Sequence, residues 1–311
     1  MKTIQSFEDW NVQEKLVATL GTFDGMHLGH QFIIKDLKNI AQKHHAKTLL
    51  ISLNPHPRII LNQAQHLKLI QTLEEKIQSI EKQGIDYLFL LPFDQSIAQI
   101  PAESFLKDIL FGKLNIDTLL IGYDHHFGKN REGNFELVQS IAKQLNKTVI
   151  QLAEFNKDNQ KVSSTIIRNH ILEGNIRKAN ELLGYNFSIS GKVIEGDKRG
   201  RQLGFPTANI FVEDPYKILP QNGVYICKVH VHQQIYHGVA NLGIRPTFPT
   251  QKHQIEVHIL DFHQQIYGEQ VTLEFLEFIR PEKKFADLES LKKQIEQDVQ
   301  NTYNYFKIKT L

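Results

Sequence analysis

Between residues 16 and 152 short apolar runs alternate with longer segments whose apolar residues recur every three or four positions. The runs cover 16–20, 48–53, 87–91, 118–121 and 148–152, are rich in Leu, Ile and β-branched residues, and read as buried parallel strands. The segments between them include 32–41 and a helix whose Thr72 and Glu75 have capping-box spacing, as crossover connections require. Two further helical patterns, 166–172 and 176–183, stop at Gly184. From Phe187 onward the texture becomes strand-like at 189–195, 207–211, 224–231, 235–241, 255–260 and 271–278. The pattern predicts an α/β domain with a parallel sheet over 1–185, followed by a small antiparallel six-stranded β-barrel over 186–311. Leu288, Leu291, Ile295 and Val299 add a C-terminal helix expected to pack one apolar face on that barrel.

Length agrees with two domains: 311 residues exceed what one compact core usually holds. Lys and Arg total 36 against 34 Asp and Glu, a net charge of +2, so the chain offers no basic field to hold a polynucleotide and no nucleic-acid partner is expected. Cys227 is the single cysteine, which excludes an intrachain disulfide framework and a thiolate-rich zinc site. The first ten residues lack the apolar core of a signal peptide, and no run of about 18 apolar residues occurs. A soluble, cytoplasmic chain with no membrane association is expected.

The first long apolar run leads directly into Gly21-Thr22-Phe23-Asp24-Gly25-Met26-His27-Leu28-Gly29-His30, and a helical pattern follows. A glycine-rich turn opening a helix at the C-terminal edge of a parallel sheet presents N–H groups to an anion. With Gly29 between them, His27 and His30 can both reach one phosphate. Two later segments supply partners at other strand ends: Gly122 to Gly128, containing Asp124, and Ser163-Ser164-Thr165 with Arg168 one turn further on.

This half resembles the nucleotidyltransferase superfamily with an H-x-G-H motif, and specifically the Rossmann-like adenylyltransferase module of bacterial FAD synthetases. Pro55-His56-Pro57 after the second run also matches, while Asn54 and His125-His126 depart from the family pattern. The resemblance implies that His27, His30, Ser164, Thr165 and Arg168 contact ATP phosphates, with His27, His30 and Arg168 catalytic. Gly21, Phe23, Asp24, Gly25, Gly29, Asp124 and Ser163 would complete the ATP site. An FMN phosphate is mostly dianionic near pH 7, its second pKa being about 6, so it can attack ATP without a general base.

The second half opens with Gly191, Gly196, Gly200 and Gly204, glycines able to form a flap over a nucleotide, and continues into Pro206-Thr207-Ala208-Asn209. Gly191 and Gly196 have P-loop spacing, but Asp197 stands where that motif needs Lys. Thr207 and Asn209 offer two neutral oxygens of the kind Mg²⁺ accepts beside phosphate oxygens. In Ile255-Glu256-Val257-His258-Ile259, strand alternation puts Glu256 and His258 on one polar face.

Together with 223–225, 241–248, 255–267 and 276–285, these residues resemble the riboflavin kinase module. The resemblance implies that Glu256 is the base activating the riboflavin hydroxyl and that Thr207 and Asn209 hold the Mg²⁺ of ATP; Glu274 is the rival carboxylate. The two resemblances imply a bifunctional enzyme that converts riboflavin to FMN and FMN to FAD, using ATP twice. A chain with one working activity, a non-catalytic flavin-binding regulator and a tRNA-charging enzyme are the alternatives.

Overall fold

The structure, a computed structural model, describes all residues except 64, 66, 124–126, 130, 131, 159, 197–199, 201, 202, 245–252 and 308–311. The chain forms two compact units, Met1–Ser164 and Thr165–Leu311.

In the first unit the order is β1 (Lys2–Ile4), β2 (Leu16–Gly21), α1 (Leu28–Lys43), β3 (Lys47–Asn54), α2 (Pro57–Ile60), α3 (Leu73–Glu81) and β4 (Tyr87–Pro92). After α4 (Gln95–Ala98) and α5 (Ala102–Ser104), a π-helical stretch (Phe105–Lys113) leads to β5 (Thr118–Ile121), α6 (Phe135–Gln144) and β6 (Thr148–Gln151). A two-stranded ribbon, β7 (Asn156–Lys157) with β8 (Gln160–Lys161), follows.

The main sheet is wholly parallel with strand order β1-β4-β3-β2-β5-β6. Period-2 alternation sends Leu16, Ala18, Leu20, Ile51 and Leu119 into one core with the π-helical stretch and α6. Val17, Leu50, Leu88 and Leu120 enter a second core with Ile34 and Leu37 of α1 and Ile80 of α3. Helices thus cover both faces, as the apolar runs predict. Because β2 is flanked by β3 and β5, the direction of winding reverses at its C-terminal end, where open α/β sheets leave a crevice.

Two details differ from the sequence expectation. A sixth strand, β1, pairs in parallel with β4, and its three residues are too few to show a period. Strand β6 is parallel as expected but lies at the sheet edge, so its residues are exposed or half-buried.

The second unit begins with α7 (Ser164–Leu172), apart from its first residue, and α8 (Ile176–Leu183), which ends at Gly184 with φ 77°. It continues as β9 (Ser188–Ile194), β10 (Ala208–Phe211), β11 (Gly223–Val231), β12 (Gln234–Ile244), β13 (His253–Ile259), β14 (Gln270–Arg280) and α9 (Leu288–Phe306). All six strands pair antiparallel in a closed barrel of order β10-β13-β12-β11-β14-β9, leaving no free edge. Val193, Cys227, Val229, Val257 and Phe275 are buried in this unit.

Helix α9 turns the predicted stripe inward except at its start: Leu291, Ile295 and Val299 are half-buried on the face that also holds its fully buried residues. Leu288 is 70% exposed, and the buried positions are Asp298, Thr302 and Tyr303. That face also carries polar contacts: Asp298 accepts two hydrogen bonds from Arg280 Nε at 3.1 Å and a third from Nη2 at 2.6 Å, while the Tyr303 hydroxyl donates to Asp261 at 2.9 Å.

Candidate active sites

The glycine-rich turn joins β2 to α1 at the reversal point of the sheet. Its backbone is unusual: Phe23, Gly25 and Met26 have φ of 48°, 88° and 33°. A side chain at Gly25 would be strained, and its Cβ would also stand 2.8 Å from Ile70 Cδ1. This compression lets the chain turn sharply enough to deliver His27 as the cap of α1.

His27 is buried, and its Nδ1 accepts the main-chain N–H of His30 at 3.3 Å. The acceptor role puts the His27 proton on Nε2. The two imidazoles stack with centroids 3.7 Å apart and planes inclined by 17°, and the His30 ring lies 5.1 Å from that of Phe23. Burial, then the neighbouring His27 and the Lys76 ammonium, hold His30 well below the usual histidine range, so it is neutral at pH 7. Gly29 passes close to His27, where a Cβ would stand 3.2 Å from the ring.

Asp24 is buried, and its carboxylate accepts the main-chain N–H groups of Ile70 (2.9 and 3.1 Å) and Gln71 (3.2 Å). It thereby ties the turn to the segment entering α3, which opens with the predicted Thr72–Glu75 capping box. The Ser164 hydroxyl donates to the Asp24 carbonyl at 2.8 Å and joins the serine-rich segment to the same turn. Gly21, Phe23, Asp24, Gly25, His27, Gly29, His30 and Ser164 therefore belong to one locality. Ser163 adjoins it in sequence, whereas Thr165 and Arg168 lie on α7 within the second unit. Asp124 lies outside the described residues.

Lys76 was not singled out in the sequence, yet it reaches the same turn: its ammonium donates to the Thr22 carbonyl at 3.3 Å and to Ser52 Oγ at 3.1 Å. A lysine within the apolar stripe Leu73, Ile77, Ile80 was the available signal.

In the barrel, β10 and β13 place Asn209 directly opposite Glu256. Gln254 Nε2 donates to Asn209 Oδ1 at 2.6 Å and also to Glu256 Oε1, joining the two in one polar cluster. His258, next on that face, donates from Nδ1 to the Pro206 carbonyl at 2.8 Å and meets the Phe205 ring edge-on at 5.5 Å. Burial lowers the His258 pKa, partly opposed by that hydrogen bond, and the neutral ring clamps the turn leading into Thr207.

A Cβ on Gly196 would overlap the Asn209 amide, and one on Gly200 would overlap the Phe205 carbonyl and stand 3.4 Å from Thr207 Oγ1. Gly196 and Gly200 themselves thus pass close to Asn209 and to the turn before Thr207, residues expected to bind metal. Gly191 is accounted for by strand packing, since a Cβ there would press on Ile210 and the Phe211 carbonyl, and Gly204 turns the chain at φ 90°. Glu274, on β14, is engaged by His230 at 2.9 Å and Asn186 at 3.2 Å.

Asn209 lies opposite the Glu256 carboxylate, and Thr207 precedes Asn209 by two residues; the neutral oxygens of Thr207 and Asn209 are of the hard kind that fits Mg²⁺ sharing its shell with phosphate oxygens and water. Among the described residues no group of three or more His, Cys, Asp or Glu could hold a metal without such help, and no helix is long and apolar enough to cross a membrane.

Comparison with known proteins also divides the chain in two. A family model described as FAD synthetase matches residues 9–166, and one described as riboflavin kinase matches 183–306. A Listeria monocytogenes bifunctional riboflavin kinase/FMN adenylyltransferase is 38% identical over 98% of both chains. The Bacillus subtilis protein of that description is 36% identical, covering 94% of this chain and 93% of its own, and the Escherichia coli one is 33% identical over 94% of each. A crystal structure from Streptococcus pneumoniae, described as a macrolide-efflux protein, superposes with a TM-score of 0.89 at 31% identity, covering 97% of this chain and 99% of that one. With an H-x-G-H turn on the parallel sheet, a polar cluster of Asn209, Gln254 and Glu256 on the barrel, and relatives alike over nearly their whole length, the chain belongs to the bifunctional riboflavin kinase/FMN adenylyltransferase family.

Proposed function

We infer that the chain makes FAD in two ATP-dependent steps, phosphorylating riboflavin to FMN and then transferring an adenylyl group from ATP to FMN with release of pyrophosphate. The observation that carries this reading is the pairing of Asn209 with Glu256 in one unit and of His27 with His30 in the other. Residues 186–311 act as the kinase module and 1–185 as the adenylyltransferase module. Helix α7 packs within the second unit but carries Thr165 and Arg168, so this functional division follows the motifs and not compactness.

In the kinase, the primary hydroxyl of riboflavin carries no useful charge at neutral pH. Glu256 accepts its proton as the oxygen attacks the γ-phosphorus of ATP and ADP departs. Thr207 and Asn209 would hold Mg²⁺, which when bound neutralises charge on the ATP phosphates. Gln254 orients Glu256 and Asn209, His258 steadies the turn before Thr207, and Gly196, Gly200 and Gly204 shape the nucleotide flap that follows the strand of Gly191.

In the adenylyltransferase, an FMN phosphate oxygen attacks the α-phosphorus of ATP and pyrophosphate leaves. The nucleophile is already an anion, so the protein's task is to stabilise charge. His27, His30, the N–H groups of the turn, Ser163, Ser164, Thr165 and Arg168 hold the phosphates, and Asp124 lies at the nucleotide site. The reading places the chain in the cytoplasm, where ATP is kept, with riboflavin, FMN, FAD and ATP as its ligands.

The test is a time course of the purified chain with riboflavin, ATP and Mg²⁺, the flavins being separated by chromatography. FMN appearing first and FAD following is the expected result. FMN alone leaves a kinase only, and no conversion overturns both assignments.

A further inference from the structure

Lys76 sits one turn into α3 among Leu73, Ile77 and Ile80, where a side chain faces inward. Its ammonium makes two hydrogen bonds, both to neutral groups at the C-terminal ends of adjacent strands: the Thr22 carbonyl that follows β2, at 3.3 Å, and the hydroxyl of Ser52 in β3, at 3.1 Å. Ser52 is itself fully buried and donates to the same Thr22 carbonyl at 3.3 Å.

An apolar residue of similar length would pack in this stripe without the cost of withdrawing a cation from water. Stability therefore does not account for a lysine here. Half-buried in this stripe, the ammonium is pulled below the ordinary lysine range by burial, opposed by the Asp24 carboxylate. Asp24 fixes the far side of the same turn through Ile70 and Gln71. The turn is thus gripped at Thr22 by a cation and at Asp24 by backbone donors, and His27 and His30 follow immediately.

We propose that Lys76 is a positioning residue for adenylyl transfer, its ammonium locking the Thr22 carbonyl and the Ser52 hydroxyl so that the turn presents His27 and His30 to the phosphates of ATP. The proposal rests on the adenylyltransferase reading of this unit. Small displacements of such a turn are costly to the transferring step because the stabilising groups must be preorganised.

In the full-length chain, Lys76→Met is expected to lower kcat for FAD formation from supplied FMN by about 10²-fold, with KM for FMN changed less than about threefold. Riboflavin phosphorylation by the same variant stays within about twofold of the wild type, because the kinase residues lie in the barrel. Lys76→Arg, which keeps charge and donors, is expected to recover about tenfold of the loss. Should Lys76→Met not fold, Lys76→Gln carries the same comparison. FAD formation within about threefold of the wild type in the Met or Gln variant overturns the proposal. So does parallel loss of both activities in all variants, which assigns the residue to folding alone. A wild-type chain that makes FMN but no FAD removes the adenylyltransferase reading, and the proposal with it, and is told apart because no variant is needed to see it.

Discussion

The His27 and His30 rings lie 3.7 Å apart and nearly parallel, with the His27 Nδ1 accepting the main-chain N–H of His30. Each ring thus limits the other's movement, and the capping bond ties the pair to the start of α1. The arrangement delivers two imidazoles to one place at the reversal point of the sheet. Removing one of them is expected to do more than delete a donor, since its partner loses its stack.

His30→Ala should therefore lower FAD formation from FMN by about 10²-fold or more, the order expected for losing a preorganised donor. Riboflavin phosphorylation by the same preparation should be unchanged. Chromatographic assay of the two half-reactions, each started from its own substrate, makes the comparison. Equal loss of both would refute two separate sites.

Glu256 faces Asn209 across β10 and β13, and Gln254 donates to both. Glu256→Gln keeps the shape but cannot take up the riboflavin hydroxyl proton, so kinase turnover is expected to fall by about 10²-fold or more. Adenylylation of supplied FMN should persist. A kinase of near-normal rate would move the base to Glu274, whose carboxylate is at present engaged by His230 and Asn186.

The depressed pKa of His30 makes the first unit acid-sensitive. Unfolded, this imidazole takes up a proton around its ordinary value of 6.5; folded, it does so only well below. From about pH 6.5 downward the unfolded state binds the extra proton and stability falls, while above that pH the contribution is constant. Trp10, the single tryptophan, packs edge-on to Tyr87 and Phe89 in this unit and can report its unfolding. Urea midpoints followed by its fluorescence between about pH 7.5 and 5 should fall more steeply for the wild type than for His30→Asn. Identical pH slopes would show that His30 titrates alike in both states.

Local periodicity was enough to read most of the architecture. Runs such as 87–91 and 118–121 alternate two faces that must both be covered, so a parallel sheet with helices on each side follows from the chain. Gly184 and the Thr72–Glu75 box mark helix ends because capping is a matter of neighbouring residues. The segments around His27, His30, Thr207, Asn209 and Glu256 stood out in the sequence for a similar reason: the side chains proposed to act together lie close along the chain, on a turn or a strand.

What the pattern left open depends on residues far apart in the chain. Asp24 finds its donors at Ile70 and Gln71, Lys76 reaches back to Thr22 and Ser52, and Gln254 meets Asn209 across paired strands. On the inward face of α9, Arg280 and Asp261 likewise bond Asp298 and Tyr303, polar partners distant in the chain. Helical spacing identifies the inward stripe, but which polar side chains are buried beside it depends on the groups opposite them. Those neighbours are supplied by the closed barrel, and a buried charge gains its partners only once distant strands have paired.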